Sequence, residues 1–178
     1  MKKSSLIVSG LTLLLIACGE PEKKRTGEVV YSTEVNMEDE MFTEKSKKQG
    51  SAHSGENYSS IDATVQYGAG FSKKVNDTLN GYNLELIVSS WIREEQLPCE
   101  GAIAVSLNKK NGEVKVWKNV KPIENNFKEK NWNFIVDTFR FKGEEMKDVA
   151  EIKVFAMKVN GSDVFDVDDL NIKYIYYK

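Results

Sequence analysis

The residues best placed to do chemistry lie at the C-terminal end, in "DVFDVDDLNIKYIYYK" (163–178). Four carboxylates, Asp163, Asp166, Asp168 and Asp169, fall within seven positions of a β-branched and aromatic run. Asp is a poor strand former, and charges this close repel. Strand parity places Asp168 with Leu170, Ile172, Tyr174 and Tyr176, which predicts that it points inward, whereas Asp169 faces out with Asn171 and Lys173. An inward carboxylate costs several kcal/mol of desolvation unless something satisfies it. A hard cation such as Ca²⁺, which takes six to eight oxygens, is one solution; a lysine or a set of backbone amides is the other. An EF-hand is excluded, because the flanks are strands and the required Gly and closing Glu are missing.

Other reactive side chains are sparse. His53 is the single histidine, so a histidine-rich zinc centre is excluded. A Ser-His-Asp triad would have to use His53, and there is no G-x-S-x-G elbow. No spacing among the 27 acids singles out a glycosidase pair. Cys99, in "EEQLPCEG", reads as a small residue of a loop between strands. Sugar ligands would need flat aromatic rings beside hydrogen-bonding groups, and Trp117, Tyr67 and Tyr82 are the candidates.

The N-terminus carries a different chemistry. Lys2 and Lys3 precede an apolar stretch, Leu6–Ala17, of 12 residues. That is short of the ~20 a spanning helix needs and fits the h-region of a signal peptide. It ends in "LIAC", which resembles the lipobox of bacterial lipoproteins. The resemblance implies cleavage before Cys18 and acylation of its thiol and amine, and two or more acyl chains give a stable anchor. Residues 1–17 are then a signal peptide, 18–27 ("CGEPEKKRTG") a lipidated tether and 28–178 a single domain. Glu20 and Glu22 resemble the surface-export signal of Bacteroidetes lipoproteins, although Pro21 interrupts the acidic cluster. An outer-membrane lipoprotein facing the periplasm or the cell surface is therefore expected. With Cys18 carrying lipid, Cys99 has no disulfide partner.

The elements that must position these groups are strands. "EVVYSTEV" (28–35), "IDATVQY" (61–67), "LELIVSSWI" (84–92), "AIAVSL" (102–107), "EVKVWK" (113–118), "WNFIVDTFRF" (132–141), "AEIKVFAMKV" (150–159) and "VFDVDDLNIKYIYY" (164–177) all carry strand patterning. Asn80-Gly81, Asn111-Gly112 and Asn160-Gly161 are turn dipeptides. The last two predict hairpins joining 102–107 to 113–118 and 150–159 to 164–177. No amphipathic helix of ten residues is evident; "GEEMKDVAEIK" comes nearest and lacks an apolar stripe. About eight short strands without βαβ alternation predict an all-β fold, an antiparallel β-sandwich or barrel. Net charge is −2 with no basic face, so no nucleic-acid partner is expected.

Several of these stretches, in this order, resemble jelly-roll carbohydrate-binding modules and related galactose-binding-like domains: "VNMED" (35–39), "SAHSGENYSS" (51–60), "LELIVSSWIR", "NWNFIVDTFRF" and "VFDVDDLNI". The resemblance spans roughly residues 30–177. It implies a jelly roll in which structural Ca²⁺ joins the first strand, the His-Ser-Gly loop and the last strand. Glu38 and Asp168 would supply carboxylates, Asp169 a second-rank one, and the backbone near Ser51 and His53 further oxygens. Asn36 stands where an Asp is common in such modules. Trp91 and Trp132 match core positions. The implied function is a non-catalytic module that binds polysaccharide. A structural or adhesive envelope protein with a protein partner is the alternative, and a small hydrolase the weakest reading.

Overall fold

The computed structural model describes residues 27–35, 38, 45–98, 100–122, 127–159 and 163–178. Cys18, the tether before Gly27, Asn36, Cys99 and Asn160-Gly161 lie outside them. Ten strands form two antiparallel sheets packed face to face. In chain order they are β1 (Val29–Val35), β2 (Lys47–Gln49), β3 (Asn57–Ile61), β4 (Tyr67–Lys74), β5 (Asn83–Glu94), β6 (Gly101–Lys109), β7 (Val114–Val120), β8 (Asn133–Phe141), β9 (Val149–Lys158) and β10 (Phe165–Tyr177). One helical turn, α1 (Gly143–Met146), closes the connection before β9.

The larger sheet runs β2-β3-β10-β5-β8, and β1 also pairs with β10. The smaller sheet runs β4-β9-β6-β7. The chain is an antiparallel β-sandwich, one of the two folds its strand patterning predicts and the jelly roll its resemblance implies. Inner faces meet through alternating apolar side chains. Leu84, Leu86, Val88 and Ile92 of β5 face Ile103, Val105 and Leu107 of β6 and Ile152 and Val154 of β9, all essentially buried. The conformational entropy of ordering the strands is offset chiefly by this burial.

Two local expectations are corrected. Residues 61–67 do not form one strand. The Asp62 carboxylate accepts bonds from the Thr64 and Val65 amides and the Thr64 hydroxyl, at 2.7–2.9 Å. That capped turn ends β3 and starts β4 in the other sheet. The predicted hairpin of 150–159 with 164–177 does not form either, since β9 pairs with β4 and β6 while β10 pairs with β1, β3 and β5. The connection crosses from one sheet to the other. The β6–β7 hairpin does form, with Gly112 at φ +86° in its turn, a conformation that costs glycine little.

β10 organises the site region. Its Phe165–Val167 segment pairs with β3 and its Leu170–Tyr176 segment with β1, so two strands share one of its edges end to end. Between those segments the ladder to β5 slips. Asp168 lies opposite Trp91 and Asn171 opposite Ser89, leaving Asp169 and Leu170 against Ser90 alone. Asp169 sits at φ +49°, in the left-handed region. This is a β-bulge. The buried Ser90 hydroxyl donates to the Asp168 carbonyl at 2.7 Å, satisfying backbone that the bulge takes out of the ladder.

Candidate functional site

The bulge changes what strand parity means. Phe165 and Val167 point into the core before it, and Leu170, Ile172, Tyr174 and Tyr176 do so after it. Asp166 and Asp168 therefore face the other way. Asp168 is buried (1% exposed), as expected, but on the outer face of the larger sheet, alongside Trp91 and beneath the loop of residues 50–56. One inserted residue reversed the face.

That loop supplies donors. Asp168 Oδ2 accepts the amides of His53 (2.8 Å) and Ser54 (3.1 Å), and Oδ1 accepts the amide of Asp169 (2.8 Å). Burial pushes the Asp168 carboxyl up, and these three amides draw it back. Asp169 takes the Ser54 hydroxyl at 2.6 Å and His53 Nδ1 at 2.7 Å. Glu38 takes the amides of Glu56 (2.8 Å) and Asn57 (2.7 Å) and the Asn57 side-chain amide. Hydrogen bonds from those amides hold its carboxyl below the ordinary range. The His53 ring stacks on Trp91, with centroids 3.9 Å apart and planes at 13°.

Asp166, the other buried acid of β10, pairs with Arg93, whose Nε and Nη2 reach Asp166 Oδ2 at 3.0 and 2.8 Å. Arg93 Nη1 donates to the Ser51 carbonyl at 2.7 Å, which also receives the Trp132 indole N–H at 3.2 Å. The guanidinium packs against both the Tyr58 and Trp132 rings, 4.9 and 4.6 Å from their centroids, and those rings meet edge to face at 6.0 Å. Trp91 and Trp132 are thus not core residues; they pack on the outer face, under the loop and over Arg93.

The expected calcium ligands border the same loop but are not gathered at one point: Asp168 and Asp169 meet His53 and Ser54, and Glu38 meets Glu56 and Asn57. The oxygens of Asp168, Asp169 and Glu38 already accept N–H and O–H donors, which satisfy their charge without a cation. The Ser51 carbonyl already faces a guanidinium. Asp166 Oδ1 is a buried oxygen without a hydrogen-bond partner, but it belongs to the carboxylate that the guanidinium neutralises. Among the described residues no cluster of three His, Cys, Asp or Glu side chains is arranged to hold a metal ion.

The second candidate surface is the outer face of the smaller sheet. Tyr67 (53% exposed) and Trp117 (42% exposed) both stand there, linked by the half-buried ring of Phe155. Phe155 makes edge contacts with Tyr67 (centroids 5.7 Å, 69°) and Trp117 (5.3 Å, 63°). The three rings form a row across β4, β9 and β7. It is seated on small residues: Phe155 lies opposite Gly70 and Ala104, and Trp117 opposite Ser106. A Cβ on Gly70 would collide with the Phe155 side chain and the Val154 carbonyl, so glycine lets the ring lie against β4. Beside Phe155 is a depression of about 540 Å³ lined by Gly68, Gly70, Ser72 and Lys153. Tyr82 is not part of the row. It packs against the core and beneath Lys178, whose Nζ is 5.1 Å from its ring.

Two depressions on the larger sheet are less suited to stacking. One of about 420 Å³, lined by Ser32, Glu34, Ile87, Ser89, Asn171 and Lys173, has no aromatic wall. The other, about 500 Å³, has Trp91, Trp132 and Phe134, but Trp91 is stacked under His53 and Trp132 is turned to Arg93. Phe155 escaped the sequence reading, although its signal was there: in "AEIKVFAMKV" it shares parity with Glu151 and Lys153, the solvent side.

Compared with known proteins, the chain matches no family profile and no curated sequence. Solved structures do resemble it. The VP2 subviral particle of infectious bursal disease virus superposes with a TM-score of 0.51 at 13% identity, over 90% of this chain and 37% of that one. The chain thus spans little more than a third of the capsid protein. "Family 16 Carbohydrate Binding Module-2" gives a TM-score of 0.43 at 17% identity, over 71% of this chain and 82% of that one. The CBM22-1 xylan-binding domain of Paenibacillus barcinonensis Xyn10C gives 0.42 at 11%, over 87% and 90%. At such identities the capsid likeness shows the sandwich fold and nothing of function.

Proposed function

We propose that this chain is a non-catalytic binding module of a bacterial envelope, held to the outer membrane by lipid on Cys18, which takes glycans on the outer face of the smaller sheet. One observation carries the reading: the row of Tyr67, Phe155 and Trp117, exposed across three strands and set beside a depression with polar groups at its rim. Pyranose rings present apolar C–H faces that stack on such aromatics, while Lys153 and Ser72 offer hydrogen bonds to hydroxyls. A non-catalytic role is supported by the acids. Asp166, Asp168 and Glu38 are held by fixed donors, not left facing a cleft.

The alternative, a protein partner, draws on Phe134 (53% exposed) and Val136 (56% exposed) on β8. A glycan array separates the two. Saturable binding to a polysaccharide class is expected, with Trp117→Ala and Tyr67→Ala each weakening it roughly five- to tenfold, as loss of about 1–1.4 kcal/mol of stacking requires. Phe134→Ser should leave that binding intact. A blank array, or full binding by Trp117→Ala, would reject the glycan site.

A further inference from the structure

We infer that a guanidinium takes the place of a metal ion in this chain: Arg93 is the positive charge that ties the 50–56 loop to the last strand, and the fold needs no calcium. The tie has to join three parts, β5, β10 and the loop. Arg93 belongs to β5, reaches Asp166 of β10 through Nε and Nη2, and reaches the loop through Nη1 and the Ser51 carbonyl. A planar fork with fixed donor directions does this without strain, whereas a lysine ammonium is a single point of charge. The pair is sheltered. The Arg93 side chain is 16% exposed and that of Asp166 7%, and the Tyr58 and Trp132 rings pack against the guanidinium.

The neighbouring groups support the same assignment. His53 and Ser54 offer amides to Asp168, and Glu56 and Asn57 offer amides to Glu38, so the loop turns its N–H groups towards the carboxylates. A cation among those acids would face donor hydrogens and, at Ser51, an existing positive charge. Where a metal ion would gather oxygens at one point, this chain distributes its acids over separate donors.

The test is thermal unfolding of the full chain in chelated buffer, with EDTA and with added Ca²⁺ alone. The expected midpoint is the same in both, and calorimetric titration with Ca²⁺ shows no saturable heat. Arg93→Met should lower the midpoint by roughly 5–15 °C, because it strands a buried carboxylate. Arg93→Met with Asp166→Asn should recover a measurable part of that loss, since both partners are then removed. Should Arg93→Met not fold, the wild-type readings still decide. A midpoint that falls with EDTA and returns with Ca²⁺ would overturn the inference. So would an Arg93→Met chain that melts like wild type, or a double variant that recovers nothing.

Discussion

Carboxylates in this protein are told apart by their donors. Asp168 has three backbone amides, Asp166 a guanidinium, Glu38 two amides and a side-chain amide. Asp166 and Asp168 are pushed up by burial, so their ionised forms oppose folding and protonation relieves that cost as pH falls. Glu151 works in the opposite sense. The Ser72 hydroxyl and the Lys74 ammonium lower its carboxyl to about 2, from an ordinary 4.5. A depressed acid adds stability that is complete above 4.5 and lost as pH falls towards 2. Glu151→Gln should therefore destabilise the neutral protein and converge with wild type in acid. Solvent screening keeps the neutral difference to about 1 kcal/mol or less. Denaturant midpoints measured from pH 7 to pH 2.5 check this, and a gap that stays constant throughout would contradict it. At this scale parity had Asp168 buried, though on the opposite face, and the family resemblance set it beside the "HSG" loop as a calcium ligand. Neither showed the donor type. Arg93 was visible in "SSWIREE", but only register reveals that it lies across from Asp166.

Most of the strands follow from patterning. The β-branched and aromatic runs at 84–92, 102–107, 113–118, 132–141, 150–159 and 164–177 are strands within a residue or two. What escaped were features that depend on pairing. A bulge adds one residue without altering composition, so parity counted across Asp169 points to the wrong face. The turn at Asp62 looked like an alternating strand because Ala63 and Val65 mimic its period. The short β2 (Lys47–Gln49) is polar and has no apolar signal at all. Gly101 shows what the elements demand of one another. It opens β6 directly under the Phe165 ring at the start of β10, with no room for a methyl group. Gly101→Ala should cost about 1–3 kcal/mol by overpacking, read as a lower urea midpoint with an unchanged slope. An unchanged midpoint would mean that β10 can withdraw there.

As a whole the molecule separates its tasks. The larger sheet carries the loop and its acids, and the smaller sheet carries the aromatic row. Among the described residues no helix is long and apolar enough to cross a membrane, and the proposed attachment rests on Cys18. Cys18→Ser should abolish palmitate labelling and release the chain from the membrane fraction; retention there would reject the lipid anchor. The pairing of β1 with β10 then acquires mechanical meaning. Its seven rungs run from Val29–Tyr176 to Val35–Leu170, and Gly27 lies close to Lys178. Tension between the two ends of the domain would unzip those rungs singly, beginning at Val29. Tension between the tether and a ligand gripped by the sandwich, directed along β1, would shear all seven together. The lipid anchor and glycan site proposed above would load the domain in the second way, the direction in which this ladder is strongest.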